Sequence, residues 1–261
     1  MTVLDTFSLD GKVALVTGGA GLYGRQIVAA LAEAGAKTFI AARGLDKLEA
    51  VAADERSHGR DVTALSLDLS SDESIEALHR TIIERAGRCD VLVNNAVTRS
   101  ALDGWAHDLD DFDRSLRVNA SALFKITQLF GQTMRARKSG SVINIGSMMG
   151  MVGLEMANYA GTNMMPNPSP IYHYEKGGMI SFTRWAASIL GADNVRVNCI
   201  SPGGYFSNQP APFVRAYSER TQLGRMANDT DLKGIIVFLA SDASAYITGT
   251  NIPVDGGYTA K

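Results

Sequence analysis

Cysteine, histidine and any excess of one charge are all scarce in this chain of 261 residues. The two cysteines, Cys89 and Cys199, stand far apart and in no CxxC or Cys/His cluster. That excludes a disulfide framework and a zinc site, and it points to a reduced, cytoplasmic setting with no metal. Lys and Arg number 25 against 27 Asp and Glu, a formal net charge of −2 without a basic stripe or an acidic tail. Nucleic acid and lipid headgroups are therefore not expected as partners. No apolar run reaches the ~18 residues of a membrane span, and residues 1–10 lack the basic and apolar stretches of a leader, so neither a membrane segment nor a signal peptide is expected. Disorder is excluded too, since 46% of the residues are apolar and 20% charged, enough to bury a large core.

Glycine is what the chain has in excess: 26 residues, about one in ten against a usual share of about 7%. Their positions follow from the apolar pattern. Short β-type runs at 13–16, 38–41, 62–67, 91–93, 142–145, 195–200 and 251–254 alternate with stretches of helical spacing, near 45–56, 71–86, 112–137, 171–190 and 229–240. Short apolar strands separated by helices imply a parallel sheet covered on both faces, an α/β fold of the doubly wound, Rossmann type with about seven strands. No linker or repeat divides the chain, and the one irregular stretch, 161–170, is too short for a boundary, so one domain over residues 1–261 is expected.

The first strand runs straight into Thr17-Gly-Gly-Ala-Gly-Leu-Tyr-Gly24. Glycines at a strand-to-helix turn let backbone N–H groups approach a diphosphate at the positive helix end, so Gly18, Gly21, Leu22, Tyr23 and Gly24 are candidate dinucleotide contacts. At the end of the second strand an NAD site usually carries an acid for the ribose 2′-hydroxyl; here Ala42-Arg43 stands instead. A guanidinium suits a 2′-phosphate, which favours NADP(H), with NAD(H) as the alternative. Tyr172 and Lys176 are four apart and share one helix face. An ammonium one turn away favours the phenolate form of a tyrosine and so suits it to acid–base work. Ser147 and Asn119 add polar groups on the same side, whereas His173, Tyr174 and Glu175 are expected to point elsewhere and simply pack. The four acids in 108–113 suit a solvated helix start.

These motifs, in this order, resemble the short-chain dehydrogenase/reductase family, in its subclass of roughly 250 residues. The likeness takes in the glycine turn, Asp68-Leu69, Asn94-Asn-Ala96, Asn119, Ser147, Tyr172 with Lys176, Ser201-Pro-Gly-Gly204 and Val254-Asp-Gly-Gly257. It implies that Tyr172 exchanges a proton with the substrate oxygen, that Lys176 assists it and binds the nicotinamide ribose, that Ser147 hydrogen-bonds the reacting oxygen, and that Asn119 holds a relay water. It further implies cofactor contacts at Asp68, Leu69, Asn95, Ala96, Pro202, Gly203, Tyr205 and Ser207, and a homotetramer or dimer built on the two long central helices.

The expected activity is interconversion of a secondary alcohol and a ketone on a small molecule, preferably a sugar, polyol or sugar acid as in gluconate 5-dehydrogenase-like members. The resemblance makes 205–213 the variable substrate-binding loop, and its amides and aromatics, with Tyr217 and Arg220, are the ground for that preference. The alternatives are a 3-oxoacyl-carrier-protein reductase and, in another class, a non-catalytic dinucleotide-sensing regulator. Three departures stand out, one of them Val97, which follows Asn94-Asn-Ala96 where the family has glycine. Leu22 occupies a position where the shorter members place glycine, and Ser147 and Tyr172 are 25 positions apart instead of about a dozen. The added length places residues 148–170 beside the substrate as an enlarged loop, a lid or pocket wall.

Overall fold

Period-two burial sorts the strand residues onto two faces, and each face needs its own layer of helices. In the first strand Ala14 and Val16 face one core while Val13 and Leu15 face the other. A computed structural model describes residues 2–98, 104–106, 108–164 and 168–260. Its seven strands are β1 (Val13–Thr17), β2 (Lys37–Ala42), β3 (Val62–Ser66), β4 (Val91–Asn94), β5 (Gly140–Ile145), β6 (Val195–Pro202) and β7 (Asn251–Val254). They pair in parallel in the order β3-β2-β1-β4-β5-β6-β7. Helices α1 (Leu22–Glu33), α2 (Leu45–Ser57) and α8 (Lys233–Ala240) cover one face through Ile27, Leu31, Leu48 and Ile236. Helices α3 (Asp72–Ala86), α5 (Ala122–Arg137) and α6 (Pro170–Leu190) cover the other through Ile75, Ile82, Phe130 and Leu190. The expected doubly wound sheet is therefore observed. The strand order reverses between β1 and β4, and in such sheets that switch point opens a crevice at the carboxyl ends of the strands.

Three predicted elements differ. The stretch expected as one helix over 112–137 begins earlier, as α4 (Leu109–Leu116), and is interrupted by a π-helical turn, Arg117–Ser121, before α5. Asp108 caps α4 by accepting from the Asp110 N–H at 2.7 Å, as the acidic start suggests. The stretch expected as helical from 229 is helical only from Lys233, because Asp231 accepts from the Asn228 N–H and pairs with Arg225, which holds the preceding residues in a turn. The loop expected over 205–213 gives way to α7 (Ala211–Ser218), whose apolar Phe213 and Tyr217 are four apart and buried together. Both cysteines are buried free thiols, and burial pushes the Cys199 pKa up to about 11. Among the described residues no helix is long and apolar enough to cross a membrane.

A polar chain crosses the core below the crevice. Asn94 Nδ2 donates to Asn144 Oδ1 at 2.9 Å and to Thr127 Oγ1 at 3.1 Å, and Asn144 Nδ2 donates to Thr183 Oγ1 at 2.9 Å. Asn144 is fully buried, so its removal strands partners that water cannot reach. Asn144→Ala is expected to cost about 1–3 kcal/mol, read as a lower urea midpoint at fixed protein concentration. An unchanged midpoint would show that the chain carries no stabilisation.

Candidate active site

The crevice is a cleft of about 920 Å³ at the carboxyl ends of the strands. Its floor is the glycine turn, and two glycines there are obligatory. Gly18 has φ +70° and lies so close to β4 that a Cβ would stand 2.9 Å from Ala96 Cα; a Cβ on Gly24 would collide with the Gly18 carbonyl. Gly21 precedes α1 with no side-chain cap, so the helix's leading N–H groups face the cleft without a competing side chain. Leu22, the departure from the glycine pattern, opens α1 with its side chain 55% exposed and displaces nothing. Tyr23 is more committed: its hydroxyl donates to Gly203 O at 2.8 Å and its ring meets Tyr205 edge-on at 5.4 Å. It thus ties the turn to the segment after β6, and burial raises its phenol pKa.

The turn is anchored sideways. Thr17 Oγ1 accepts from the N–H groups of Asn95 and Ala96, both at 3.0 Å, and Asn95 Nδ2 donates to Thr17 O and Gly18 O, both at 3.0 Å. The Asn95 side chain therefore holds the turn, and the segment's remaining contact surface is backbone. At the far end Arg43 directly follows β2, exposed and without an acid beside it in sequence. Asp68 and Leu69 line the same end. The Ser70 N–H and hydroxyl, and then Arg43, hold the Asp68 carboxyl below its usual range. These features fit a dinucleotide: a turn that admits no Cβ, open helix N–H groups, and a guanidinium where a ribose phosphate would lie.

At the other end Ser147 follows β5, buried, its Oγ accepting from the Met149 N–H at 3.1 Å. Lys176 is also buried; its Nζ donates to Ile145 O at 2.7 Å and lies 5.7 Å from the centroid of the Tyr172 ring. Gly150 permits this approach, since a Cβ there would stand 2.6 Å from the Lys176 carbonyl carbon. Tyr172, Lys176 and Ser147 share the cleft with Pro202, Gly203, Tyr205 and Ser207. Asn119 does not line it. It sits behind the wall in the π-turn, Nδ2 donating to Thr98 O at 2.9 Å and Oδ1 accepting from the Thr98 N–H at 2.9 Å.

One expectation about a neighbouring residue is corrected. Glu175, expected only to pack, is buried, lines the cleft and accepts hydrogen bonds from Ser115 and Asn119. Nothing in a single YxxxK motif flags that role, because Ser115 and Asn119 are about sixty positions away in sequence. Gln209 lines the cleft from 205–213, and its amide also bonds within its own loop, accepting from the Ser207 N–H and donating to Tyr205 O, both at 2.7 Å. The wall there is an apolar cluster of Met148, Phe213, Tyr217 and Met226, against which Tyr159 and Met164 pack. The enlarged loop supplies Met148, Met149, Leu154, Tyr159 and Met164 to the lining; its residues 165–167 lie outside the described residues. Among the described residues no cluster of His, Cys, Asp and Glu could hold a metal ion.

The family model described as Enoyl-(Acyl carrier protein) reductase matches residues 21–259. A 3-oxoacyl-[acyl-carrier-protein] reductase FabG from Pseudomonas aeruginosa is 33% identical, over 96% of this chain and 98% of its own. A tropinone reductase homologue from Arabidopsis thaliana is 30% identical, over 97% and 94%. The solved structure of a gluconate 5-dehydrogenase from Burkholderia cenocepacia, in complex with NADP and tartrate, superposes with a TM-score of 0.88 over the full length of both chains at 30% identity. Fold, glycine turn and relatives together establish that this chain belongs to the short-chain dehydrogenase/reductase family of oxidoreductases.

Proposed function

We propose that the chain interconverts a secondary alcohol and a ketone with NADP(H), acting on a sugar, polyol or sugar acid. The observation that carries this reading is that one cleft holds the glycine turn and Arg43 at one end and Ser147, Tyr172 and Lys176 at the other. A nicotinamide dinucleotide bound there supplies or accepts the hydride at the substrate carbon. The chain's residues do the rest. Ser147 Oγ hydrogen-bonds the reacting oxygen, and Tyr172 gives that oxygen a proton in reduction and takes it back in oxidation. Lys176, held in place by Ile145 O, puts its positive charge beside the oxygen that loses the proton. Gly18, Gly21, Leu22, Tyr23 and Gly24 cradle the diphosphate, Asp68, Leu69, Asn95 and Ala96 border the adenosine half, and Pro202, Gly203, Tyr205 and Ser207 the nicotinamide half. The NADP bound by the gluconate 5-dehydrogenase relative supports the cofactor choice.

The substrate end combines an apolar wall with a few polar atoms, the usual make-up of a small-molecule pocket. Ser169 and His173 line it, and among the described residues Ser169 Oγ and His173 Nε2 are buried without a hydrogen-bond partner. Hydroxyl groups of a polyhydroxylated substrate would supply those partners while its C–H faces lie against Tyr159 and Phe213. A 3-oxoacyl thioester is the second reading, favoured by the apolar wall and by the FabG relatives. The partner we infer is a second copy of the chain, on α5 and α6: Phe124, Phe182 and Trp185 form a ring cluster with Phe124 45% and Trp185 52% exposed, and Ile189 lies beside it 47% exposed.

A panel of ketoses, polyols, sugar acids and 3-oxoacyl thioesters, followed at the nicotinamide absorbance, separates the two substrate readings. Tyr172→Phe is expected to lower turnover on the order of 10²- to 10⁴-fold, and unchanged turnover would overturn the assignment. Arg43→Ala is expected to weaken NADPH binding about 10- to 100-fold while sparing NADH. Equal wild-type affinities for the two cofactors, by fluorescence titration, would reject the NADP assignment. Trp185→Glu is expected to lower the assembly state seen by sedimentation, and a wild-type monomer would reject the dimer or tetramer.

A further inference from the structure

Glu175 is a buried carboxyl group that proton transfer between Tyr172 and the substrate does not use. It stands on α6 between Tyr172 and Lys176, and its two oxygens are taken by different segments of the chain. Oε1 accepts from the Ser115 hydroxyl at 2.7 Å and Oε2 from Asn119 Nδ2 at 2.9 Å. All three side chains are more than nine-tenths buried, with Ser115 1%, Glu175 7% and Asn119 8% exposed. Ser115 belongs to the last turn of α4 and Asn119 to the π-turn, so one carboxyl group spans the break between two helical segments and fastens both to the helix that bears Tyr172 and Lys176.

The break needs such a fastening. In the π-turn the Ala122 N–H reaches back to Arg117 O, five residues, and a turn of that width is uncommon and found mostly where function fixes it. The Asn119 amide is likewise left one orientation. Its oxygen must face the Thr98 N–H, and its nitrogen must face acceptors only, namely Thr98 O, Glu175 Oε2 and, at 3.2 Å, Ser115 Oγ. A group offering acceptors on both oxygens enforces that choice, whereas an apolar side chain would take from the Ser115 hydroxyl and from Asn119 Nδ2 the acceptor that each has in Glu175. Burial pushes the Glu175 pKa up, while the two hydrogen bonds and the Lys176 charge act against that rise.

We propose that Glu175 is a positioning residue: it fixes Asn119 and the π-turn against the helix carrying Tyr172 and Lys176. The inference rests on the reading of Tyr172 and Lys176 given above. It acts through the placement of Asn119 and not through the substrate.

The experiment measures kcat, KM and NADPH affinity for Glu175→Ala, Glu175→Gln, Ser115→Ala and the Ser115→Ala/Glu175→Gln double variant, with active sites counted by NADPH fluorescence. Glu175→Ala is expected to lower kcat per active site on the order of 10- to 100-fold, the scale of a small misplacement of reacting groups, with NADPH affinity within about twofold of wild type. Glu175→Gln, whose one oxygen keeps an acceptor for Asn119 Nδ2 while the Ser115 hydroxyl loses its acceptor, should recover part of the loss. The double variant should lose no more than the worse single one, because both substitutions break the same bond. Wild-type kcat per active site in Glu175→Ala, or additive losses in the double variant, would overturn the proposal. If Glu175→Ala does not fold, the Ser115→Ala and Glu175→Gln pair decides by the same coupling. Tyr172→Phe assayed alongside keeps the two readings apart: its turnover tests the proton donor, and the Glu175 and Ser115 coupling tests the positioning.

Discussion

The close approach of the glycine turn to the end of β4 is the constraint on which the rest of the site depends. The first strand must leave the sheet and start a helix within a few residues, without closing the gap between β1 and β4. Thr17 and Asn95 hold that geometry from both sides through four hydrogen bonds of 3.0 Å, and Gly18 and Gly24 remove the side-chain atoms that would fill it. A side chain at Gly24 would strike the Gly18 carbonyl, which itself accepts from the Gly21 N–H at 3.1 Å and so shapes the turn. The N-terminus of α1 points into the cleft because of this packing.

The opposite end of the cleft is organised by α6. Its first turns carry Tyr172 and Lys176, and Gly150 lets the helix sit against the end of β5, where Ile145 O receives the Lys176 ammonium. Glu175, on the same turn, reaches the other way to α4 and the π-turn. One helix thereby sets the positions of a phenol, an ammonium and, through the carboxyl group, a carboxamide. Buried polar groups on this scale are tolerable only because each is paired, which also makes the arrangement specific. The substrate side is softer by comparison: methionines and aromatic rings from the enlarged loop and α7 form a wall whose contacts are largely non-directional.

Much of this was legible in the sequence because it depends on local rules. Alternating short apolar runs and helical stretches announce a parallel sheet, and glycines between the first strand and the first helix announce a crevice at the switch point. What was not legible depends on distant contacts. The helical pattern over 112–137 is continuous in composition, and only packing against Glu175 and Thr98 accounts for a π-turn at Asn119. The polar character of 205–213 suggested hydrogen bonds to a substrate, yet Gln209 satisfies its own loop and the neighbouring residues coil into α7. Asn95 lines the cleft, and that its side chain also holds the glycine turn is decided by contacts nearly eighty positions apart.

The sequence by itself determined the class of fold, the place of the dinucleotide turn and the identity of the tyrosine–lysine pair, because each follows from periodicity or from spacing within one element. The tertiary structure alone decided how Glu175 is used, which side chains face the cleft and which lie behind it, and the apolar nature of the substrate wall. Those properties arise where distant segments meet, 180 positions apart in the case of Tyr23 and Gly203, and hydrogen-bond partners at that range are chosen by packing, which a linear pattern does not encode.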